Sequence, residues 1–457
     1  MDSLQKRVIP YMGSIGSMVR GISWPSFRPA VVGVYEIFAS VHPNYYAFTF
    51  LFVLIGLFVY MKIRFPFWNA QPILHTYLGG WGRGSTPQIL QKYPYRTKWV
   101  DSARVQTLDV SRISKEEMRQ IAVFLQTHYF PSDRLLSTLT DRTLDVVFRG
   151  HNAPSFVSAY TEIDGTLSGV VSSRLARVCF YSTPVPFSLE SYYMDWLCIH
   201  REITGRPLTE TLFQTHEYNQ RIQYPAIATS IFRKEGELCQ GVVPLLEYTK
   251  YTFYMRNLRV SALPAHYQIV RVEKENREIL QNIYHLFTDD LVAFADFAKS
   301  PDPVSSTAKK SSSRGRIFDG SIFPDLSNMA ELLVSREMGF FCLRNRGHVY
   351  GAYFFRNAHV HYDDIEGDTL ELVASIHNSD SPELFFRGFV SSLKQWLRDQ
   401  PTYKMLVIHA VGHNTLIVDS WRKWHHSILE TPSAVYLYNF AWPGGKTVDA
   451  SKWLVLI

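Results

Sequence analysis

Residues 194–213 read MDWLCIHREITGRPLTETLF, and this stretch decides the fold. Its apolar run ends near His200, which predicts the end of a strand, and a short loop then leads to a helix that starts at about Leu208. A strand, a loop and a helix N-terminus together present backbone N–H groups and the positive end of a helix dipole. With Arg201 and Arg206 beside them, these groups form a candidate pyrophosphate site. A routine strand-to-helix turn is the more common meaning of such a stretch, which matches neither a Walker loop nor a dinucleotide fingerprint.

Composition bounds the class of protein. The chain has 457 residues, of which 46% are hydrophobic and 14% aromatic, which suits two domains or two fused halves with well-filled clefts. Its net charge of +6 suits anionic partners such as a CoA phosphate or a lipid surface, but it is too small to indicate nucleic acid, and we expect none. The four cysteines show no C-x-x-C spacing, and no N-x-S/T acceptor occurs. These features favour buried free thiols in a reducing compartment.

One segment has the composition of a membrane span. From Tyr45 to Met61 the chain carries no charged residue, a length sufficient to cross the apolar core of a bilayer. Lys62 and Arg64 follow directly, where interfacial basic residues belong. The alternative, a buried core helix, usually shows a polar stripe, which is missing here. We therefore predict a transmembrane helix at residues 44–62, with the uncharged part, 45–61, in the membrane; its orientation cannot be predicted.

The remaining pattern predicts an α/β (α+β) fold with a mixed sheet. An order of helix, hairpin, strand, helix and strand occurs twice, which suggests a duplicated unit around one sheet. We place an N-terminal segment at 1–43, the transmembrane helix at 44–62, a first half at 63–262 and a second half at 263–457.

The decisive stretch resembles the N-myristoyltransferases, whose family pattern is E-I-N-F-L-C-V-H-K followed by a basic phosphate loop and a helix. Leu197, Cys198 and His200 are identical to this pattern. Two further landmarks keep the family's order. The family's F-W-x-x-Q-P stands here as FWNAQP (67–72), and its closing motifs stand here as VYLYNFAWP (435–443) and WLVLI (453–457). The resemblance spans nearly all of the chain after the predicted membrane helix. It is strongest to the divergent, membrane-anchored form that large DNA viruses carry.

The resemblance implies both a fold and an activity. The fold would be two acetyltransferase-like (GNAT-like) halves in a pseudo-twofold arrangement around the sheet, of which the first binds acyl-CoA and the second supplies much of the peptide groove. The activity would be transfer of a myristoyl group from myristoyl-CoA to the N-terminal glycine of target proteins. Myristoyl-CoA is then a co-substrate, and no cofactor or metal is expected. The body after the helix would face the cytosol, at a host-cell or virion membrane if the protein is viral.

The resemblance also implies the catalytic groups. The free carboxylate of the last residue, Ile457, would act as the general base for the glycine ammonium. The backbone N–H groups of Trp196 and Leu197 would form the oxyanion hole for the thioester carbonyl. Asp195 stands where the family has Asn, so a possible negative charge replaces two donors beside that hole.

Binding residues follow from the same alignment. The acyl-CoA site would consist of residues from the first landmark and from the decisive stretch: Phe67, Trp68, Gln71, Leu197, Cys198, Ile199, Arg201, Thr204, Gly205, Arg206, Pro207, Leu208 and Thr209. The peptide site would include Tyr129, Asp133 and Gly412. The phosphate loop has lost two basic side chains relative to the family, and Gly412 replaces a carboxylate. Only Tyr129 and Asp133 remain of the acidic element that meets basic peptide residues in the family.

Two alternatives stay open at the level of the sequence. One is a related acyltransferase that uses another acyl-CoA. The other is a membrane-anchored structural or scaffold protein on a catalytically decayed body, which the changes at Asp195, at Gly412 and in the phosphate loop would favour. Acyl-chain length, target proteins and oligomeric state are not predicted.

Overall fold

The computed structural model describes most of the chain after the first 42 residues. The described residues are 43–76, 86–130, 134–183, 185–203, 207–256, 258, 261–273, 278–281, 284, 318–363, 365–378 and 381–457. The chain divides into two compact units, Met1–Pro66 and Phe67–Ile457.

The described residues form the following α-helices: α1 Pro43–Arg64, α2 Lys115–His128, α3 Asp141–Phe148, α4 Leu208–Gln223, α5 Leu326–Val334, α6 Pro382–Asp399 and α7 Asn414–Trp421. They also form these strands: β1 Gln88–Ile89, β2 Val105–Asp109, β3 Leu135–Ser137, β4 Phe156–Thr161, β5 Leu167–Phe180, β6 Phe187–Ile199, β7 Ser230–Glu235, β8 Leu246–Tyr254, β9 Gln268–Val272, β10 Gly320–Phe323, β11 Met338–Asn345, β12 His348–Tyr362, β13 Ile365–His377, β14 Tyr403–His409, β15 Leu429–Tyr438, β16 Phe440–Ala441 and β17 Trp453–Val455.

The first unit contains helix α1, which is long and apolar enough to cross a membrane. Its 22 residues rise about 33 Å, close to the thickness of a bilayer core. Large apolar side chains are exposed along it, with Phe52 at 78% and Phe48 at 69%. The helix begins at Pro43, which has a φ suited to a first turn, and ends with Lys62 and Arg64, which complement the negative end of its dipole. The predicted apolar helix is therefore present, with nearly the predicted bounds.

The second unit is built on a mixed sheet that repeats one pairing scheme. Strands β2, β4, β5 and β6 pair antiparallel in that order, and β6 then pairs parallel with β7 through the crossover helix α4. Strands β9, β11, β12 and β13 pair in the same way, and β13 then pairs parallel with β14 through α6. The same succession therefore occurs twice, as the repeated sequence pattern predicts.

The two halves exchange strands at the centre of the sheet. Strand β15 from the end of the chain lies between β7 and β8, and β8 pairs in turn with β14. The sheet is thus continuous across both halves, and one of its faces carries residues from each.

The end of the chain lies inside this sheet. Strand β17 pairs parallel with β10, which pairs on its other side with β5. Leu456 donates its backbone N–H to Ile322 at 2.8 Å, and Ile457 is 2% exposed. The apolar run that closes the sequence therefore forms a buried strand, as its composition predicts.

Candidate active site

A bulge in β6 interrupts the ladder with β5 at the decisive stretch. Ser172 pairs with Asp195 and Val170 pairs with Cys198, so two residues of β6, Trp196 and Leu197, oppose the single residue between them on β5. Trp196 has φ +48°, a left-handed conformation that is uncommon for a residue with a side chain. Bulges of this kind redirect backbone groups and are frequent beside active sites.

Asp195 holds the bulge in place through its side chain. Its Oδ1 accepts a hydrogen bond from the Trp196 N–H at 3.0 Å, and its Oδ2 lies 3.5 Å from Nη2 of Arg174. Ser172 donates its hydroxyl to the Asp195 carbonyl at 3.2 Å. One of the two backbone donors predicted for the oxyanion hole is therefore engaged by the neighbouring carboxylate, whose charge Arg174 partly balances.

Four aromatic rings near the bulge pack together and are hereafter the aromatic wall: Phe67 and Trp68 of the first landmark, Phe213 and Phe232. Phe67 and Trp68 meet Phe213 of α4 edge to face, and Trp68 stacks on Phe232 of β7 with ring centroids 5.5 Å apart. Gln71, 4% exposed, accepts a hydrogen bond from the Tyr438 hydroxyl at 2.8 Å. The first and the last landmark of the sequence are thus in direct contact.

The same apolar cluster reaches the decisive stretch. It contains Val171, opposite the bulge, and Leu208 at the start of α4, and Ile199 packs against it. Burial raises the pKa of the Cys198 thiol to about 12, so this thiol stays protonated at neutral pH and packs as an apolar side chain. The cluster therefore joins the bulge to the start of α4.

The predicted phosphate loop is only partly described. Thr204, Gly205 and Arg206 lie outside the described residues, whereas Pro207 directly precedes α4 without a side-chain cap and Thr209 is exposed in its first turn. Arg201 donates its backbone N–H to Nδ1 of His128, 3.5 Å away.

Of the predicted peptide residues, Tyr129 lies beside the bulge. It follows α2, and burial, together with the carboxylate of Asp195, raises its pKa well above the ordinary value. Asp133 lies outside the described residues.

Gly412 lies against the terminal strand. It has φ +57°, and a Cβ added there would stand 2.6 Å from the carbonyl oxygen of Trp453. Its N–H donates to the Ala450 carbonyl at 2.9 Å. Only glycine permits this close approach, so the carboxylate that the family carries here has no space in this backbone arrangement.

The last residue shares a face of the sheet with the bulge region. Ile457 packs in one apolar cluster with Val178 of β5 and Tyr193 of β6. Arg174 pairs with Tyr193 across the ladder, and Asp195 follows two residues after Tyr193, so both lie on this face. The sheet thus places the chain end and the Asp195 side of the bulge on one face.

A buried ion network continues across the same face, and the sequence analysis missed it. Glu371 of β13 lies 3.0 Å from Nζ of Lys250, 2.6 Å from Nη2 of Arg356 and 3.4 Å from Nε2 of His409. Lys250 also contacts Glu235 at 3.1 Å. Burial disfavours the ionised form of Glu371, but Lys250 and Arg356 outweigh it and hold its pKa well below the ordinary value. The network is therefore ionised at neutral pH.

No cluster of His, Cys, Asp and Glu among the described residues has a geometry that would hold a metal ion. His359 and His361, which stand together in the sequence, contact Glu337 at 2.7 Å and Asp368 at 2.6 Å respectively.

Comparison with known proteins shows which known structures share this fold. No protein-family profile and no curated protein sequence matches the chain. Three solved structures that do match are of N-myristoyltransferase from Saccharomyces cerevisiae. One, with bound myristoyl-CoA, is 12% identical over 85% of this chain and 90% of that chain, with a TM-score of 0.56. Another, also with bound myristoyl-CoA, is 11% identical over 85% and 97%, with a TM-score of 0.56. A third, with myristoyl-CoA and inhibitors, is 10% identical over 85% and 94%, with a TM-score of 0.59. At these identities the likeness shows a shared fold, and it confirms the fold that the sequence resemblance implies.

Proposed function

We propose that this chain is an acyltransferase that moves a myristoyl group from myristoyl-CoA to the N-terminal glycine of target proteins. The observation that carries the proposal is the bulge at Trp196 and Leu197 within a fold shared with N-myristoyltransferases. Its position matches the motif that supplies the oxyanion hole in that family, and backbone donors need no particular side chain.

The proposed reaction is a direct displacement. The glycine amine attacks the thioester carbonyl, so a C–N bond forms, the C–S bond breaks and CoA leaves with the electrons of the C–S bond. The leaving thiolate takes up the proton that the nitrogen loses as the amide forms. The N–H groups of Trp196 and Leu197 stabilise the oxyanion of the tetrahedral intermediate. The terminal carboxylate of Ile457 takes a proton from the ammonium group, and its buried position makes it a stronger base than a carboxylate in water.

Asp195 sets a condition on this mechanism. Its Oδ1 occupies the N–H of Trp196, so the thioester oxygen must share or displace that bond. A negative charge beside a developing oxyanion opposes catalysis unless a cation balances it, and Arg174 lies at 3.5 Å to do so. The engagement of the Trp196 N–H by Asp195 also favours the second candidate function, a scaffold protein that binds acyl-CoA without transferring the acyl group.

The proposed acyl-CoA site combines the aromatic wall with the start of α4. Phe67 and Trp68 would bound the acyl chain, because an apolar chain gains most from apolar neighbours. Arg201 and the backbone around Thr204–Thr209 would hold the phosphates at the positive end of the helix dipole.

The acyl-chain preference tests the proposal. We expect the full chain, in detergent micelles, to transfer myristoyl faster than octanoyl and much faster than acetyl to a glycine-initiated peptide, because each buried CH₂ adds about 0.8 kcal/mol of binding. Transfer is measured by mass spectrometry of the peptide. Equal rates for all three donors would contradict a long apolar channel. Retention of myristoyl-CoA without transfer would favour the scaffold.

Helix α1 is proposed as the membrane anchor. A single myristoyl chain gives only marginal membrane affinity, so an enzyme already at the bilayer can deliver its product there. We expect the full chain to stay in the membrane pellet after a high-salt wash. Replacement of Leu54, Ile55 and Leu57 in the exposed middle of α1 by Arg should release it to the supernatant. The same triple replacement by Ala is the control, and release of this control as well would show that the substitutions act on folding.

A further inference from the structure

On the face that carries Ile457, three of the buried hydrogen-bond donors that lack an acceptor among the described residues belong to Arg or Tyr side chains. They are Nε of Arg174, Nη1 of Arg233 and the hydroxyl of Tyr248. Arg174 is 6% exposed, Tyr248 is 8% exposed and the side chain of Arg233 is 15% exposed. Buried donors, and charged ones above all, are costly without partners, so three on one face call for an explanation.

The pairing register places these donors along one diagonal of the face, each separated from the next by one intervening strand. Arg174 pairs with Tyr193, and its guanidinium lies 5.2 Å from the centre of the Tyr193 ring. Tyr193 pairs with Ile231, two residues before Arg233 on the same face of β7. Strand β15 separates Arg233 from Tyr248, which lie opposite residues two apart on that strand. The donors therefore form one row across β5, β7 and β8, hereafter the donor row.

The charges on this face balance until the substrate arrives. Among the described residues, Arg174, Arg233, Lys250 and Arg356 stand against the carboxylates of Asp195, Glu235 and Glu371 and the terminal carboxylate of Ile457, so the ammonium group of the substrate glycine brings one cation in excess. Burial lowers the pKa of His409 to about 4, so this side chain is neutral at pH 7 and adds no charge.

On the proposed mechanism, the donor row lies beside the groups that the acceptor substrate must reach. Asp195 and Tyr193 join it to the bulge, Ile457 packs in the cluster that contains Tyr193 and Tyr248, and Arg233 is among the charges that act on Tyr129. We therefore infer that a peptide whose amine reaches the bulge and the chain end runs along this face.

We propose that the substrate peptide carries an Asp or Glu side chain near its N-terminal glycine, and that the donor row binds this carboxylate. A carboxylate accepts several hydrogen bonds and pairs well with the planar guanidinium fork, so it satisfies the orphaned donors and the excess positive charge together. A Lys at the same place would meet Arg174 and Arg233 and be repelled. The inference rests on the proposed function, because it assigns the specificity of the same site.

The test uses the full chain in detergent micelles and matched glycine-initiated peptides. Each peptide carries one Glu, Gln or Lys at a position from 2 to 7, with Ala elsewhere, and kcat/KM for myristoyl transfer is measured for each. We expect one position at which Glu exceeds Gln by roughly 10- to 100-fold, which is the range for a charge-assisted hydrogen bond, with Lys below Gln.

Two variants assign the preference to the donor row. Arg233→Gln should bring the Glu-to-Gln ratio close to one, and Tyr248→Phe, which removes only a hydroxyl, should lower it by a smaller factor. Arg119→Gln, on the exposed face of α2, is the control and should leave the ratio unchanged. A ratio within one preparation does not depend on the fraction of folded protein.

Several results would overturn the proposal. A ratio of one at every position would do so, as would a preference for Lys. The variants could also lower kcat/KM equally for Glu and Gln peptides and shift the pH profile of kcat. That result would show that the donor row binds the chain's own terminal carboxylate instead. If no peptide is acylated, the proposed reaction fails, and fluorescence anisotropy of labelled Glu and Gln peptides then decides the inference. Tighter binding of Glu that Arg233→Gln abolishes would support it, and equal binding would overturn it.

Discussion

Extension of the chain by Gly-Ser-Gly after Ile457 is expected to lower kcat for acyl transfer by roughly 10²- to 10⁴-fold, the usual contribution of a general base. The physical reason is the position of the terminal carboxylate. The last strand is fixed by β10, and Ile457 is buried, so a tail moves the carboxylate out of its buried position and puts a neutral peptide group in its place. A side-chain carboxylate elsewhere on the face cannot substitute, because Asp195, Glu235 and Glu371 are each already paired with a cation.

The matched control keeps the carboxylate and changes the side chain. Ile457→Val removes one buried methylene, which costs about 1 kcal/mol of stability and should leave kcat within a few-fold of the original. Both proteins should retain myristoyl-CoA binding, measured by isothermal titration calorimetry, because the aromatic wall lies in a different cluster from the chain end. Transfer at the original rate by the extended protein would remove Ile457 from the mechanism.

Replacement of Glu371 by Gln is expected to lower the free energy of unfolding by about 3–5 kcal/mol, the usual cost of breaking a buried ion pair from one side. Glu371 lies between Lys250 and Arg356, and its side chain is 7% exposed. The neutral amide keeps the shape but leaves Arg356 without its carboxylate and Lys250 with Glu235 alone. Urea unfolding followed by tryptophan fluorescence measures the effect.

The same substitution changes the pH dependence of stability. The pKa of Glu371 is lower in the folded protein than in the unfolded chain, so its contribution is complete above about pH 4.5 and is lost as the pH falls through the folded value. The Gln variant should therefore lose less stability than the original protein between pH 5 and pH 3. Glu116→Gln, which breaks an exposed pair with Arg119, is the control and should leave the urea midpoint unchanged. If Glu371→Gln also left the urea midpoint nearly unchanged, the ion network would not be fully desolvated.

Features set by local sequence could be predicted. The apolar helix α1 follows from composition alone, because no charged residue interrupts it over the length of a bilayer core. The strand and helix of the decisive stretch, and the buried terminal strand, follow from their apolar runs and from the resemblance. The repeated pairing scheme follows from the repeated order of elements.

Features set by distant pairing could not be predicted. Glu371 meets Lys250 and Arg356 only because strands β8, β14, β13 and β12 lie side by side. Lys250 in turn meets Glu235 across β15, which is inserted between β7 and β8. Arg174 reaches Asp195 only because the pairing of β5 with β6 sets Arg174 opposite Tyr193 and Ser172 opposite Asp195, so that the two are diagonal neighbours. The need for glycine at position 412 depends on the carbonyl of Trp453, 41 residues further along the chain. Tertiary contacts of this kind leave no periodic signal in a sequence.

The identity of the product tests the central claim most directly. The full chain in detergent micelles is incubated with myristoyl-CoA and a glycine-initiated peptide, and released CoA and modified peptide are both quantified. The account predicts one myristoyl group on the α-amine of the glycine for each CoA released, and no modification of the same peptide with an acetylated N-terminus. Release of CoA without acylated peptide, or no release while myristoyl-CoA stays bound, would contradict it.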